Sequence, residues 1–271
     1  MNASQRKEFV AVVWAHYARA GRHDLPWRRP EADGTFDAYK ILVSELMLQQ
    51  TQVSRVLAKF GPFIEQFPSF TVLATAPLAA VLRSWSGLGY NRRAKFLWQA
   101  ARIIKAQHKG RLPNTLNELT NLPGVGPNTA GALLAYAYNR PAVFIETNIR
   151  TVYIHHFFAG QRDISDRAVL DLVAATVPDN VREWYWALMD YGTFLKQDIG
   201  NLNSRSKQYA KQSTFNGSRR QIRGQVLKLL GQKAYTHAQL GLVIDDDRLP
   251  SVLTDLVQES LISETRGRYT L

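Results

Sequence analysis

The sequence predicts an all-α body followed by a small α+β unit, and three observations predict it. Apolar residues recur at three- and four-residue steps as far as Leu195. Pro or Gly interrupts these runs at short intervals, which gives short helices and short loops and not a coiled coil. Beyond a polar, basic stretch, three further helical patterns end in a hairpin pattern around Gly267.

Taken in order, Phe9, Val12, Val13, Trp14 and Tyr17 mark the first amphipathic helix. Pro26 and Pro30 end it, and Leu42, Leu46, Val53, Val56 and Leu57 mark the next helical stretch, broken by the polar cluster Gln49-Gln50-Thr51-Gln52. Phe96, Leu97, Ala100, Ile103 and Ile104 form another stripe between the breaks at Gly87-Gly89 and Pro113. Helical patterns over 116–121 and 128–138 flank Leu122-Pro123-Gly124-Val125-Gly126, which reads as a helix-hairpin-helix. Its glycines allow a tight turn and bring backbone N–H groups at Gly124, Val125 and Gly126 onto an anion. Asp163-Ile164-Ser165-Asp166 and Val177-Pro178-Asp179 read as helix starts, and there is no internal repeat.

From Asn201 to Arg223 the chain carries Arg205, Lys207, Lys211, Arg219, Arg220 and Arg223 and no acidic residue. Both a solvated linker and a strip against a nucleic-acid backbone are open. Helices over 221–230, from Thr236, and over 250–261, then a hairpin over 262–270, have the order of a winged helix-turn-helix. Its third helix carries Asp255 and Glu259, so docking is as open as groove reading.

At 271 residues the chain can bury a real core in two or three domains. A net charge of +12 favours a polyanionic partner, nucleic acid first, although ribosomal and membrane-surface proteins share such a balance. The absence of cysteine excludes disulfides, thiolate zinc sites and Cys-ligated iron–sulfur clusters. The first eight residues lack the apolar core of a signal peptide, and no apolar run approaches the roughly 20 residues of a membrane span. The expected setting is the cytoplasm, at the nucleoid, with no membrane partner.

Two carboxylates could carry chemistry. Glu45 sits in Ile41-Leu42-Val43-Ser44-Glu45-Leu46-Met47-Leu48, where apolar surroundings would raise its pKa towards a general acid; a solvent-facing Glu is the alternative. Glu146 follows Ala142-Val143-Phe144-Ile145 and is open to an ordinary role at a helix start. Two such groups are what glycosidic cleavage requires, one to protonate the leaving group and one to steady an oxocarbenium-like sugar. Gln49 and Gln50 could fill a hole in a base stack or simply end a helix. In Leu88-Gly89-Tyr90-Asn91-Arg92-Arg93 the aromatic could wedge beside a base and the arginines meet phosphates, with a core tyrosine as the alternative. His155-His156 has no evident third ligand, and packing outweighs metal binding.

Leu25-Pro26-Trp27-Arg28, Ser44 to Val53, Gly87-Leu88-Gly89-Tyr90 and Leu122 to Gly126 occur in an order and spacing that resembles the MutY-type adenine DNA glycosylases of the helix-hairpin-helix (HhH-GPD) superfamily. The likeness runs from about Asp24 to Val152 and more weakly to Gly192. It implies that Glu45 is the catalytic acid acting at purine N7, that Glu146 stabilises the cation at C1′, and that Asn148 supports that carboxylate. It places Asn128 where bifunctional relatives similar to endonuclease III keep a lyase Lys, and an amide cannot form a Schiff base. Leu25, Trp27 and Asp190 match positions lining the base pocket, and Gln49, Gln50 and Tyr90 match the intercalating set. Three departures stand out: Glu146 replaces the family's defining Asp, the four cluster cysteines after Gly192 are missing, and a winged-helix-like unit replaces the domain that recognises 8-oxoguanine.

The resemblance implies a two-lobed helix-hairpin-helix glycosylase fold with a C-terminal winged-helix unit. The expected divisions are an N-terminal helix over 1–35 packing with the second lobe, a six-helix lobe over 36–147, a cluster-less second lobe with the basic strip over 148–217, and the winged-helix unit over 218–271. The expected activity is that of a monofunctional DNA glycosylase in base excision repair. It would flip mispaired adenine, opposite 8-oxoguanine or guanine, from double-stranded DNA and hydrolyse its N-glycosidic bond. It would work as a monomer, without cofactor or metal apart from a monovalent cation that the hairpin carbonyls could hold. Action on a different damaged or mismatched base remains open, as do non-catalytic binding of lesion DNA and, last, a bifunctional lyase.

Overall fold

The computed structural model describes residues 2–271. Helices dominate it: α1 (Ala3–Ala20), α2 (Ala38–Leu48), α3 (Val53–Gln66), α4 (Phe70–Thr75), α5 (Leu78–Trp85), α6 (Arg92–Gln107), α7 (Leu116–Thr120), α8 (Pro127–Tyr138), α9 (Thr147–Phe157), α10 (Asp166–Thr176) and α11 (Val181–Asp198). The C-terminal part adds α12 (Arg219–Leu230), β1 (Tyr235–Thr236), α13 (His237–Gly241), α14 (Leu249–Gln258), β2 (Ser263–Thr265) and β3 (Arg268–Thr270). Its three strands run antiparallel in the order β1-β3-β2, the sheet of a winged helix, with β1 an addition to the expected hairpin. Among the described residues no helix is long and apolar enough to cross a membrane.

The chain divides into two compact units. One holds the chain up to Ile41, Asn114–Thr120 and Val125–Lys211; the other holds Leu42–Pro113, Asn121–Gly124 and Gln212–Leu271. This grouping cuts across the expected 36–147 lobe, and packing explains why. In the first unit Tyr136 of α8 stacks on Trp186 of α11 at 5.8 Å, and Phe144 stacks on Tyr185 at 4.1 Å. In the second, Lys95 of α6 donates to the Glu259 carbonyl at the end of α14, which ties the C-terminal elements to α3–α6.

The first unit's core is aromatic. Phe9 of α1 meets Tyr153 and Trp184 at 5.2 and 5.9 Å, and Tyr185 Oη donates to the Ala142 carbonyl at 2.6 Å. His156 joins this core: it lies 5.1 Å from Phe9 and 3.1 Å from Tyr191 Oη, and burial pushes its pKa down to about 4. No group of three or more potential ligands that could hold a metal occurs among the described residues. The second unit packs Phe63 against Trp85 at 5.9 Å, and Val56, Leu97 and Ile104 are buried in the same unit.

After α11 a thiolate-ligated cluster does not fit a chain without cysteine, and polar contacts fasten this end. Buried Asn203 donates to the Thr147 carbonyl at 3.2 Å and to Thr151 Oγ1 at 2.7 Å. Ile164 pairs with Ser206, with Ile164 N donating to the Arg205 carbonyl at 3.1 Å and Lys207 N to the Ile164 carbonyl at 3.0 Å. Asn203→Leu removes both bonds and forces a larger, apolar side chain into a buried polar site, although Thr151 Oγ1 keeps its own bond to the Thr147 carbonyl at 2.9 Å. Thermal unfolding should show a loss of about 2 kcal/mol.

Candidate functional site

The expected site residues fall into two sets, each within one unit. In the second unit Glu45 lies on α2, half-buried between buried Ser44 and Leu46. The helix starts where Asp37 Oδ1 accepts Tyr39 N at 2.8 Å and ends at Leu48. Its last carbonyls are held by Arg93, whose Nη1 donates to Leu46 O at 2.8 Å and Met47 O at 2.9 Å. The same side chain's Nη2 donates to Thr51 Oγ1 at 3.0 Å and to Gly89 O at 2.9 Å. Arg93 was expected on a phosphate, and the structure corrects this. Its side chain is buried, and burial pushes its pKa down to about 10, so it stays a cation at neutral pH.

Gln49 Nε2 donates to the Gly124 carbonyl at 3.3 Å, so its amide braces the hairpin. Gln50 and Tyr90 both sit in the left-handed region, at φ 54° and 48°. Non-glycine residues held there carry strain that is most often found at functional sites. One amide, Gln212 Nε2, donates to both Gln50 Oε1, at 3.0 Å, and Tyr90 Oη. Arg220 also donates to Tyr90 Oη, at 2.6 Å. Arg92 is exposed, 3.9 Å from Glu259.

The hairpin needs its first glycine twice over. Gly124 has φ +78°, and a Cβ there would lie 2.9 Å from Phe96 Cβ. Gly126 differs: it caps α8 at φ −83°, with open space where a Cβ would stand, so a ligand can approach its backbone closely. Val125 is buried, so only its backbone can serve an anion.

In the first unit Asn128 is exposed, and its Oδ1 accepts Ile145 N at 3.4 Å, next to Glu146. Glu146 is the N-cap of α9 but makes no side-chain capping bond. Burial pushes its pKa up to about 7. Asn148 Nδ2 donates to Thr193 Oγ1 at 3.2 Å, and α11 reaches α9 so closely that a Cβ on Gly192 would lie 2.2 Å from the Asn148 carbonyl oxygen.

Trp27 is buried on a single 3-10 turn, Pro26–Arg28, and Leu25, which caps that turn, is buried with it. Asp190, expected with them as pocket lining, is buried and joined to this segment through Arg22 and Arg28. Its Oδ2 accepts Arg22 N at 2.7 Å and Arg28 Nη1 at 2.8 Å, while Oδ1 accepts Arg22 Nε at 2.7 Å and Arg28 Nη2 at 3.0 Å. Burial alone would raise its pKa; hydrogen bonds from Arg28 and the Arg28 and Arg22 charges outweigh that and lower it.

The basic strip is corrected in part. Arg205 turns onto the protein: Nε donates to Gln161 O at 2.7 Å and Nη2 to Phe158 O. Lys207 and Lys211 are exposed. Arg22, Thr193, Gln212 and Arg220 were missed as site-shaping residues. Only Arg220 carried a signal, as one of the strip's cations.

Comparison with known proteins fits this arrangement. The chain is 33% identical to an adenine DNA glycosylase of Mycolicibacterium smegmatis over 96% of its own length and 94% of the relative's. The chain belongs to the adenine DNA glycosylase family. A relative from Mycobacterium tuberculosis is 32% identical over 95% of the chain and 91% of its own length. Residues 43–174 match the model of the HhH-GPD superfamily of base excision DNA repair proteins. Among solved structures, a thermostable thymine-DNA glycosylase shares the fold at a TM-score of 0.59 and 24% identity, covering 70% of this chain and 86% of that one. An endonuclease III in a non-covalent DNA complex does so at 0.59 and 17%, covering 72% and 87%.

Asp190→Asn should destabilise the protein by about 3–5 kcal/mol, because it leaves the buried Arg28 charge uncompensated. Asp190 has a lowered folded pKa. Its contribution is therefore complete above the unfolded carboxylate range and is lost as pH falls through the folded value. Thermal melts of wild type and variant should converge in that acid range and differ fully at pH 7.

Proposed function

We propose that this chain is a monofunctional DNA glycosylase of base excision repair that removes adenine mispaired with 8-oxoguanine or guanine. The reading is carried by the match, over nearly the whole chain, to relatives described as adenine DNA glycosylases. Glu45 protonates the purine and loosens the N-glycosidic bond; Glu146, ionised, stabilises the sugar cation electrostatically; water completes the hydrolysis and leaves an abasic site. Asn148, oriented by Thr193, supports Glu146. Asn128 carries no amine, so no Schiff base forms with the sugar.

Leu25 and Trp27 border the base, and Gln49, Gln50 and Tyr90 occupy the opened stack. Backbone N–H groups of the hairpin, with Arg92, Lys207 and Lys211, hold phosphates. No cofactor is needed. A monovalent cation on the hairpin carbonyls would share the Gly124 oxygen with the Gln49 amide. The protein works on double-stranded DNA as a monomer, in the cytoplasm at the nucleoid.

Single-turnover assays on duplexes with adenine opposite 8-oxoguanine, guanine or thymine test this reading. Wild type should produce alkali-labile sites at the first two pairs, and Glu45→Gln should slow the step by at least about 100-fold. Borohydride should trap no covalent adduct. The replacement of the family's Asp by Glu146 favours a second reading, in which another base is the substrate; binding without cleavage at every adenine pair would select it.

Glu146 also sets a pH dependence. A carboxyl with its pKa near 7 must lose its proton to act as a charge, so the rate should rise as pH climbs through about 7. Glu146→Gln should remove that limb from the profile along with most of the activity.

A further inference from the structure

The second unit contains a cleft of about 940 Å³, lined by α3, the turn between α5 and α6, the start of α6 and the exposed side of α12. All of its lining residues belong to that one unit. Its charge is one-sided: Arg55, Lys59, Arg92, Arg220, Arg223 and Lys228 face a single carboxylate, Glu259.

The partners of these cations separate them into two groups. Glu259 takes Arg223 at 2.5 Å and Arg92 at 3.9 Å, and Arg220 is spent on Tyr90 and the Ser213 carbonyl. The side chains of Arg55, Lys59 and Lys228 make no hydrogen bond or ion pair among the described residues. Cations gathered in one cleft without partners repel one another, and a polyanion removes that cost. Phe215, 57% exposed in the same cleft, offers a ring to a sugar or an unstacked base.

A winged helix would ordinarily meet DNA with its third helix, here α14. That helix has no basic residue, and its acids are covered from α12: Arg219 pairs with Asp255 at 2.6 Å and Arg223 with the adjacent Glu259. A surface of that charge does not enter a phosphate-lined groove.

We infer that the C-terminal unit meets DNA through this cleft and not through α14, with phosphates of one strand on Arg55, Lys59 and Lys228. The inference rests on the DNA-glycosylase reading and adds where the C-terminal unit engages that substrate.

The test is the salt dependence of binding of the full chain to a fluorescent duplex. Each phosphate contact removed should lower the slope of log K against log salt by about 1, so Lys59→Ala/Lys228→Ala should lower it by about 2. Arg266→Ala/Arg268→Ala, on the wing, should leave it unchanged. An unchanged slope in the lysine pair, or an equal fall in the wing pair, overturns the assignment. Folding is checked by thermal melts, with Lys59→Gln/Lys228→Gln as a second pair that keeps the side-chain stems. A wild-type chain that binds DNA but releases no base overturns the glycosylase reading alone; one that binds no DNA overturns both.

Discussion

The guanidinium of Arg93 holds together the parts of the second unit on which a nucleotide would be worked. Taking such a group out of water costs several kcal/mol, and the cost is recovered only where every donor meets a well-placed acceptor. The C-terminal end of α2 supplies that, because its last carbonyls lack helical partners and carry the negative end of the helix dipole. With Leu46, Met47 and Gly89 carbonyls and the Thr51 hydroxyl on one side chain, the end of the Glu45 helix, the polar break after it and the turn before α6 share one anchor. The left-handed backbone at Gln50 and Tyr90 borders that anchor, which gives their strain a rigid support.

The first unit is organised from the opposite charge. Within one turn of α11, Asp190 fixes the segment carrying Leu25 and Trp27, Gly192 admits the backbone of Asn148, and Thr193 orients its amide. Three neighbouring residues thus set both the start of α9 and the turn of the N-terminal segment. A side chain larger than hydrogen at Gly192 would push α9, and Glu146 with it, away from α11.

Much of this was legible in the sequence. Helical periodicity placed the main helices, the hairpin glycines marked a real turn at Gly124, and the C-terminal winged-helix pattern matched its three helices and hairpin. Charge was read less well. Arg93, Arg205 and Asp190 all turn onto partners within the protein, and nothing in a linear sequence distinguishes a charge facing solvent from one held by carbonyls or by an opposite charge. Periodicity reports apolar burial, whereas these side chains are buried by polar partners distant in sequence: Arg28 and Asp190 are 162 positions apart. Gln212 was invisible for the same reason, since its role exists only once the chain before α12 lies beside Tyr90.

Glu146 shows how a buried charge and its function constrain each other. Burial lifts its pKa because the carboxylate loses water, and the same loss of water makes an ionised carboxylate a stronger partner for a cation. On the proposed reading, phosphates arriving with DNA push the proton further on, while the sugar cation developing at C1′ pulls it off. Ionisation is then favoured most where the transition state needs it, and a carboxyl whose pKa is raised at rest is not an idle one. The side chain of Glu146, longer than the Asp that the resemblance implies at this position, changes the reach of that charge but not this coupling. What its length decides is geometry, since an interaction worth several kcal/mol in a dry site weakens quickly when the charge sits an ångström out of place.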